Sequence, residues 1–207
     1  MITFYFIRHG RTTWNHSGRY QGITDLPLND VGRQQANLVA ERLKDITVDN
    51  IISSDLSRAI ETAEAIAKPH NKKVQIVKDF QELNFGDWEG LTFEEIEKKW
   101  PGMIDEMYRH PATLRVSSGE SFGDLQKRTM KAIENLIHEG ENKTHVIISH
   151  GAAIRTMICG LLDIPLDRAW NFSVGNASIT CMTHYVGDRT ILNFQNSTDH
   201  LLSLIHI

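Results

Sequence analysis

Cysteine is scarce in this chain, with two in 207 residues, Cys159 and Cys181. Both fall inside apolar stretches that read as a helix and a strand. Two thiols without a wider framework exclude a disulfide-stapled fold and point to free, buried thiols in a reducing compartment. An excess of either charge is lacking as well, with 22 Lys and Arg against 26 Asp and Glu. A net charge of −4 excludes the broad basic footprint of a nucleic-acid binder, so the arginines near the start form a local cluster suited to a small anion. No run of roughly 18 apolar residues occurs, and the chain enters a strand at once without a basic and apolar leader. These absences speak against a membrane partner and for a cytoplasmic protein. No repeat, low-complexity tract or linker interrupts the chain, and 41% hydrophobic with 23% charged residues suits one domain with its own core.

What is there alternates between apolar strands and amphipathic helices. Thr3 to Ile7 is nearly continuous in apolar character, as in a central strand covered on both faces. Ser17 to Leu28 lacks periodicity and reads as a loop over that strand's end. Asn29 is placed to cap a helix reaching Lys44, with Ala36, Val39, Ala40 and Leu43 as its apolar stripe. A strand over 50–54 follows, then a helix capped by Asp55 or Ser57 that reaches Ala67 and is closed by Pro69, then a strand over 74–77. From about residue 80 to 122 the order changes: an irregular turn at Phe85 to Gly90, a short helix from Thr92 to Trp100, and interruptions at Pro101 and Pro111. This stretch reads as a small helical cap covering the sheet edge. A helix over 122–138, a strand over 144–149, a helix over 152–162 and two late strands complete the chain. The pattern predicts an α/β fold with three layers, α/β/α, around a largely parallel sheet, as a single domain spanning 1–207.

Each early strand ends in a polar cluster. Arg8, His9, Arg11 and Asn15 follow the first, Ser54 and Arg58 the second, and His150 the strand near residue 147. Parallel sheets bind ligands at the carboxyl ends of their strands, so these groups are expected to converge. Guanidinium groups match phosphate oxygens bidentately, and neighbouring positive charge keeps a histidine neutral and nucleophilic at pH 7. Gly151 and Ala152 open a helix whose N–H groups would add donors to the same place.

The ordered set resembles the histidine phosphatase superfamily, which also contains the cofactor-dependent phosphoglycerate mutases. The matching stretches are Arg8-His9-Gly10, Asn15, Gln21-Gly22 with Asp25, Ser53 to Ala59 with Thr62-Ala63, Glu82 before Phe85-Gly86, Gly119-Glu120-Ser121 and Ser149-His150-Gly151. The resemblance implies that His9 takes the phosphoryl group. It implies that Arg8, Asn15, Arg58, Gln21, Gly22, Gly151 and His150 hold phosphate, with His150 also stabilising the transition state. Glu82 would then serve as acid and base in turn. No metal and no cofactor are implied, and the partner expected is a small phosphorylated metabolite, bound by a monomer or homodimer.

The chain departs from the mutases after Glu82. They typically read Arg-His-Tyr-Gly there, whereas this chain reads Leu83-Asn84-Phe85-Gly86, similar to the small phosphatases of the family. The expected activity is therefore a metal-independent phosphomonoesterase acting through a phosphohistidine, with α-ribazole 5′-phosphate among the candidate substrates. Phosphoglycerate mutation is the alternative. Arg11, where relatives often carry an acidic residue or Gln, is expected to face solvent. Trp88, Trp100, Met103, Met107 and Tyr108 are expected to be mostly cap core. The remaining histidines, at 16, 70, 110, 138, 145, 184, 200 and 206, show no metal-ligand spacing and are expected at the surface or without a role.

Overall fold

A computed structural model describes residues 1–116, 118–185, 187 and 189–204; His206 lies outside the described residues. Strand β1 (Ile2–Arg8) leads through the short helix α1 (Thr13–His16) and the loop after it to α2 (Asp30–Leu43), β2 (Asn50–Ser53), α3 (Ser57–His70) and β3 (Val74–Ile76). The helices α4 (Phe93–Lys99) and α5 (Met103–Arg109) precede α6 (Phe122–His138), β4 (Lys143–Ser149), α7 (Gly151–Leu161), β5 (Ile179–Tyr185) and β6 (Arg189–Ser197). The strands form one sheet in the order β3-β2-β4-β1-β5-β6. The pairs among β3, β2, β4 and β1 are parallel, and β5 joins β1 and β6 antiparallel, so the sheet is largely parallel.

The two-residue period of the strands sorts the core into two layers. Phe4, Phe6, Ile52 and Ile147 face α6 and α7, while Ile7, Ile51, Val146 and Ile148 face α2 and α3. The expected three-layer α/β/α arrangement follows from that alternation. No described helix is long and apolar enough to cross a membrane.

Local starts and stops differ from expectation in two places on α3. Neither Asp55 nor Ser57 caps it; the Asp25 carboxylate, from the loop over β1, accepts from the Ser57 backbone N–H and hydroxyl, both at 2.7 Å. Pro69 does not close the helix, which continues to His70 and leaves through Asn71 at φ +50°. A proline in the last turn removes one N–H without blocking the turn it completes. The cap also packs differently. Its apolar cluster, with Trp88, Ile96, Ile104 and Met107, closes onto Phe122, Leu125, Ala152 and Ala153 of α6 and α7, and among the described residues it includes none from either edge strand. Both cysteines are free and buried. His145 and His184 are not surface residues: both are buried, and His145 stacks on Phe4 with its Nδ1 beside the Asn50 amide at 3.2 Å.

Candidate active site

β1 and β4 are neighbours in register, with Arg8 opposite Ser149, so His9 and His150 leave the sheet side by side. Their ring centroids are 5.1 Å apart. Gly10 makes the sharp exit possible: a Cβ there would collide with the Gly32 carbonyl of α2, so only glycine lets the turn and the helix meet. The Gly10 N–H is held by the Thr62 hydroxyl at 3.1 Å.

The His9 ring is oriented by its own turn. Nδ1 lies 2.7 Å from the Gly10 carbonyl, which assigns the proton to Nδ1 and leaves a lone pair on Nε2. Arg58 Nε donates to that Nε2 at 3.3 Å. Burial, more than the Arg58 and Arg8 guanidinium groups, holds the His9 imidazole well below its usual range. His150 is lowered likewise, by burial first and then by Arg58, His9 and Arg8. The sequence argument named the charges and missed the larger cause. His150 Nε2 meets the Ser54 hydroxyl at 2.7 Å, while its Nδ1 is buried without a partner.

The arginines divide their donors. Arg58 is fully buried and directs its two terminal nitrogens to the carbonyls of Gly22 at 2.6 Å and Thr24 at 2.9 Å, so it fixes the loop over the site as well as facing His9. Arg8 Nη1 donates to the Val174 carbonyl at 2.7 Å, and its Nε is buried without a partner. Burial is the first cause lowering the Arg8 pKa to about 10. Asn15 closes a capping box on α1 with Thr12, and its side-chain oxygen also accepts from Asn176 at 3.1 Å. That leaves its amide nitrogen over. Gln21 accepts from the Thr12 hydroxyl at 3.0 Å, again with its nitrogen left over. Gly22, at φ +56°, turns back over the site and is backed by the Glu89 side chain, which also holds the N–H groups of Ile23 and Thr24.

Glu82 sits on the N-terminus of α7. Its Oε1 accepts from Leu83, Ala152 and Ala153, and its Oε2 from Ala152 alone, at 3.2 Å. Of the two helix donors expected for phosphate, Ala152 is thus engaged by Glu82; Gly151 N–H has no acceptor among the described residues. The segment carrying Glu82 is stapled by Arg128, which no local pattern announced. Arg128 donates to the carbonyls of Asp79, Gln81 and Glu82 at 2.8, 2.9 and 2.7 Å and forms a bidentate pair with Glu120.

These groups open into one cleft of about 240 Å³ that is lined by every expected phosphate-side residue except His150, whose fully buried ring lies beside His9. Arg11 is outside it, its guanidinium meeting exposed His16. Trp88, Trp100, Met103 and Met107 belong to the cap core, as expected, and Met107 also lines the cleft together with Tyr108. Arg155, Trp170 and Asn176 were missed by the sequence argument. Arg155 alone carried a signal, four residues after Gly151 on the same helix face. Among the described residues, no group of three or more His, Cys, Asp or Glu could hold a metal ion.

An α/β sheet with a neutral histidine pair inside an arginine cradle defines a phosphoryl-transfer site. Residues 4–197 match the histidine phosphatase superfamily (branch 1). Phosphoserine phosphatase 1 of Hydrogenobacter thermophilus is 33% identical over 201 residues, covering 97% of this chain and 95% of that protein. A probable phosphoglycerate mutase GpmB of Erwinia tasmaniensis is 30% identical, covering 89% of this chain and 86% of that protein. Among solved structures, YhfR of Bacillus stearothermophilus superposes with a TM-score of 0.90 at 31% identity, covering 97% of this chain and all of that one. A phosphoserine phosphatase of Entamoeba histolytica, solved as an H9A variant with phosphoserine, has a TM-score of 0.87 at 38% identity, covering 98% of this chain and 100% of that one. The chain belongs to the histidine phosphatase superfamily, and its enzyme class is that of a histidine-dependent phosphatase.

Proposed function

We propose that the chain is a metal-independent phosphomonoesterase for a small phosphorylated metabolite, with His9 as nucleophile. The observation that carries this reading is the His9 ring itself: buried, neutral, lining the cleft, and fixed by the Gly10 carbonyl at Nδ1 so that the lone pair is on Nε2, where Arg58 Nε holds it at 3.3 Å. Nε2 attacks phosphorus while the ester oxygen leaves with a proton from Glu82, giving a phosphohistidine. Water then attacks phosphorus, Glu82 takes its proton, and the bond to Nε2 breaks to release inorganic phosphate. Oε2, the less engaged oxygen of Glu82, is the one for these transfers. Donors already in place meet the equatorial oxygens: Arg8 Nε, Arg58 Nε, His150 Nδ1, the Asn15 and Gln21 amides, and the N–H groups of Gly22 and Gly151.

Residues 1–207 act as one domain in this reading, with residues 80–122 as its cap. Every group invoked comes from one chain, so a monomer suffices and a homodimer is compatible. The unpaired buried thiols support the cytoplasm as compartment. The names of the more similar relatives favour phosphoserine or a phosphoglycerate-like ester over α-ribazole 5′-phosphate. Phosphoglycerate mutation shares the cradle and has the GpmB relatives in its favour.

A phosphate-release panel in EDTA, with phosphoserine, 3-phosphoglycerate, sugar phosphates and α-ribazole 5′-phosphate, tests the reading. Release is expected from the wild type and should fall on the order of 10⁴-fold or more in His9→Ala. Release that survives in His9→Ala overturns it. Conversion of 3-phosphoglycerate primed by 2,3-bisphosphoglycerate, without release, selects the mutase.

A further inference from the structure

The cleft is lined by four arginines: the mechanism uses Arg8 and Arg58, Arg19 is paired with Glu95 at 2.9 Å, and Arg155 is left without a task. Arg155 follows Gly151 by one turn of α7 and lines the same cleft. Its Nε donates to the Phe172 carbonyl at 2.8 Å, and its guanidinium lies 5.7 Å from the Trp170 ring centroid. Trp170 is itself wedged between Tyr108 and Phe122, with ring centroids at 4.6 and 4.8 Å. The plane of the guanidinium is therefore held by a carbonyl on one edge and an aromatic cluster on its face. Its two terminal nitrogens have no acceptor among the described residues, and Arg155 forms no ion pair among them.

Arg155 also stands next to the phosphate cradle. A Cβ built on Gly151 would lie 3.3 Å from Arg155 Nη1 and 3.6 Å from Arg8 Nε, so the two guanidinium groups flank the same glycine. Burial lowers the Arg155 pKa, and Arg155 in turn lowers that of Arg8. A half-buried cation beside another cation, with the Glu82 carboxylate as the one charge opposing both and no ion pair to either among the described residues, gains from a further anion. The charge balance identifies that anion. With Glu82 protonated as the acid, Arg8, Arg58 and Arg155 face a phosphate dianion with one positive charge unmatched. The pair of terminal N–H groups of one arginine matches the two oxygens of a carboxylate.

We propose that Arg155 determines specificity on the leaving-group side, and that the substrate is a phosphomonoester whose alcohol carries a carboxylate a few bonds from the ester oxygen. The inference rests on the phosphomonoesterase reading above. It is tested with two matched pairs, O-phosphoserine against O-phosphoethanolamine and phosphoglycolate against ethyl phosphate, which differ within each pair by the carboxylate.

The wild type is expected to favour the carboxylated member by about 10- to 100-fold in kcat/KM. That ratio should fall to near one in Arg155→Gln and be partly kept in Arg155→Lys, which guards against a variant that fails to fold. Calorimetric titration of His9→Ala with the same pairs reads the preference as an affinity ratio without turnover, so it decides the inference even if no ester is hydrolysed. A wild-type ratio near one, or a ratio retained in Arg155→Gln, overturns the inference while leaving the phosphatase reading intact. Phosphate release surviving in His9→Ala overturns the phosphatase reading instead.

Discussion

The floor of the cleft and its far wall are built by different means. The floor is made where adjacent parallel strands end: β1 ends on Arg8 and is followed by His9, β2 is followed by Ser54 and Arg58, and β4 is followed by His150. Backbone register alone brings them together, and hydrogen bonds from Gly10, Ser54 and Thr62 lock their orientation. The far wall is made of Met107 and Tyr108 from the cap, Arg155 from α7 and Trp170 from the turn after it, joined by ring contacts and one arginine-to-carbonyl bond. The proposed chemistry uses the floor, where small errors in placement are costly. The proposed discrimination between substrates uses the wall, where side chains can change without disturbing the sheet.

The sharpest way to break this division is at Glu82, which lines the cleft and is bonded to the N-terminus of α7. Glu82→Gln removes the proton donor and should lower kcat/KM by about 10²- to 10⁴-fold for alkyl phosphates. The loss in kcat/KM, which reads only the steps through phosphohistidine formation, should be much smaller for p-nitrophenyl phosphate, whose leaving group departs without a proton; equal losses on both esters would assign Glu82 to holding α7 alone. Arg128 comes next. Arg128→Leu frees three carbonyls and Glu120 at the root of the Glu82 segment and should lower stability by about 2 to 3 kcal/mol, read from urea unfolding. In the folded fraction kcat should fall about tenfold with KM little changed, since the floor that binds phosphate is untouched.

The effect on pH dependence needs no substitution and comes from the floor alone. His9 and His150 are held neutral in the folded protein, whereas in the unfolded chain they protonate near pH 6.5. Below that value the unfolded state binds more protons, so stability is complete above pH 6.5 and declines as pH falls, by about 1.4 kcal/mol per pH unit for each histidine. Urea unfolding at pH 7 and pH 5 should show that decline, and a shallower one in His150→Asn.

Much of the floor was legible in the sequence because each of its groups stands beside a strong local signal. An apolar strand broken by Arg-His-Gly or His-Gly announces a strand end, and parallel alternation puts such ends on one edge. The capping partners of α2 and α4 were similarly local: Asn29 and Thr92 each hold an N–H three residues on. What escaped notice was joined across the chain. Asp25 caps α3 from another loop, Arg128 reaches back to Glu82, and Asn176 bridges the carbonyl of His9 and the side chain of Asn15. Trp170 meets Tyr108 and Arg155 only after folding. Polar residues in turns carry no periodicity, so nothing local distinguishes a long-range clamp from a solvated side chain. The engagement of Ala152 by Glu82 belongs to the same group: the free helix N-terminus was readable, its occupant was not.

The most direct measurement is to trap the enzyme during turnover with ³²P-labelled ester and ask what carries the label. The account predicts a phosphoenzyme that is labile in acid and stable in alkali, as a phosphorus–nitrogen bond is, with the label on the peptide containing His9 and absent from His9→Ala. Steady turnover with no trapped label, or an acid-stable label on a hydroxyl side chain, would contradict it.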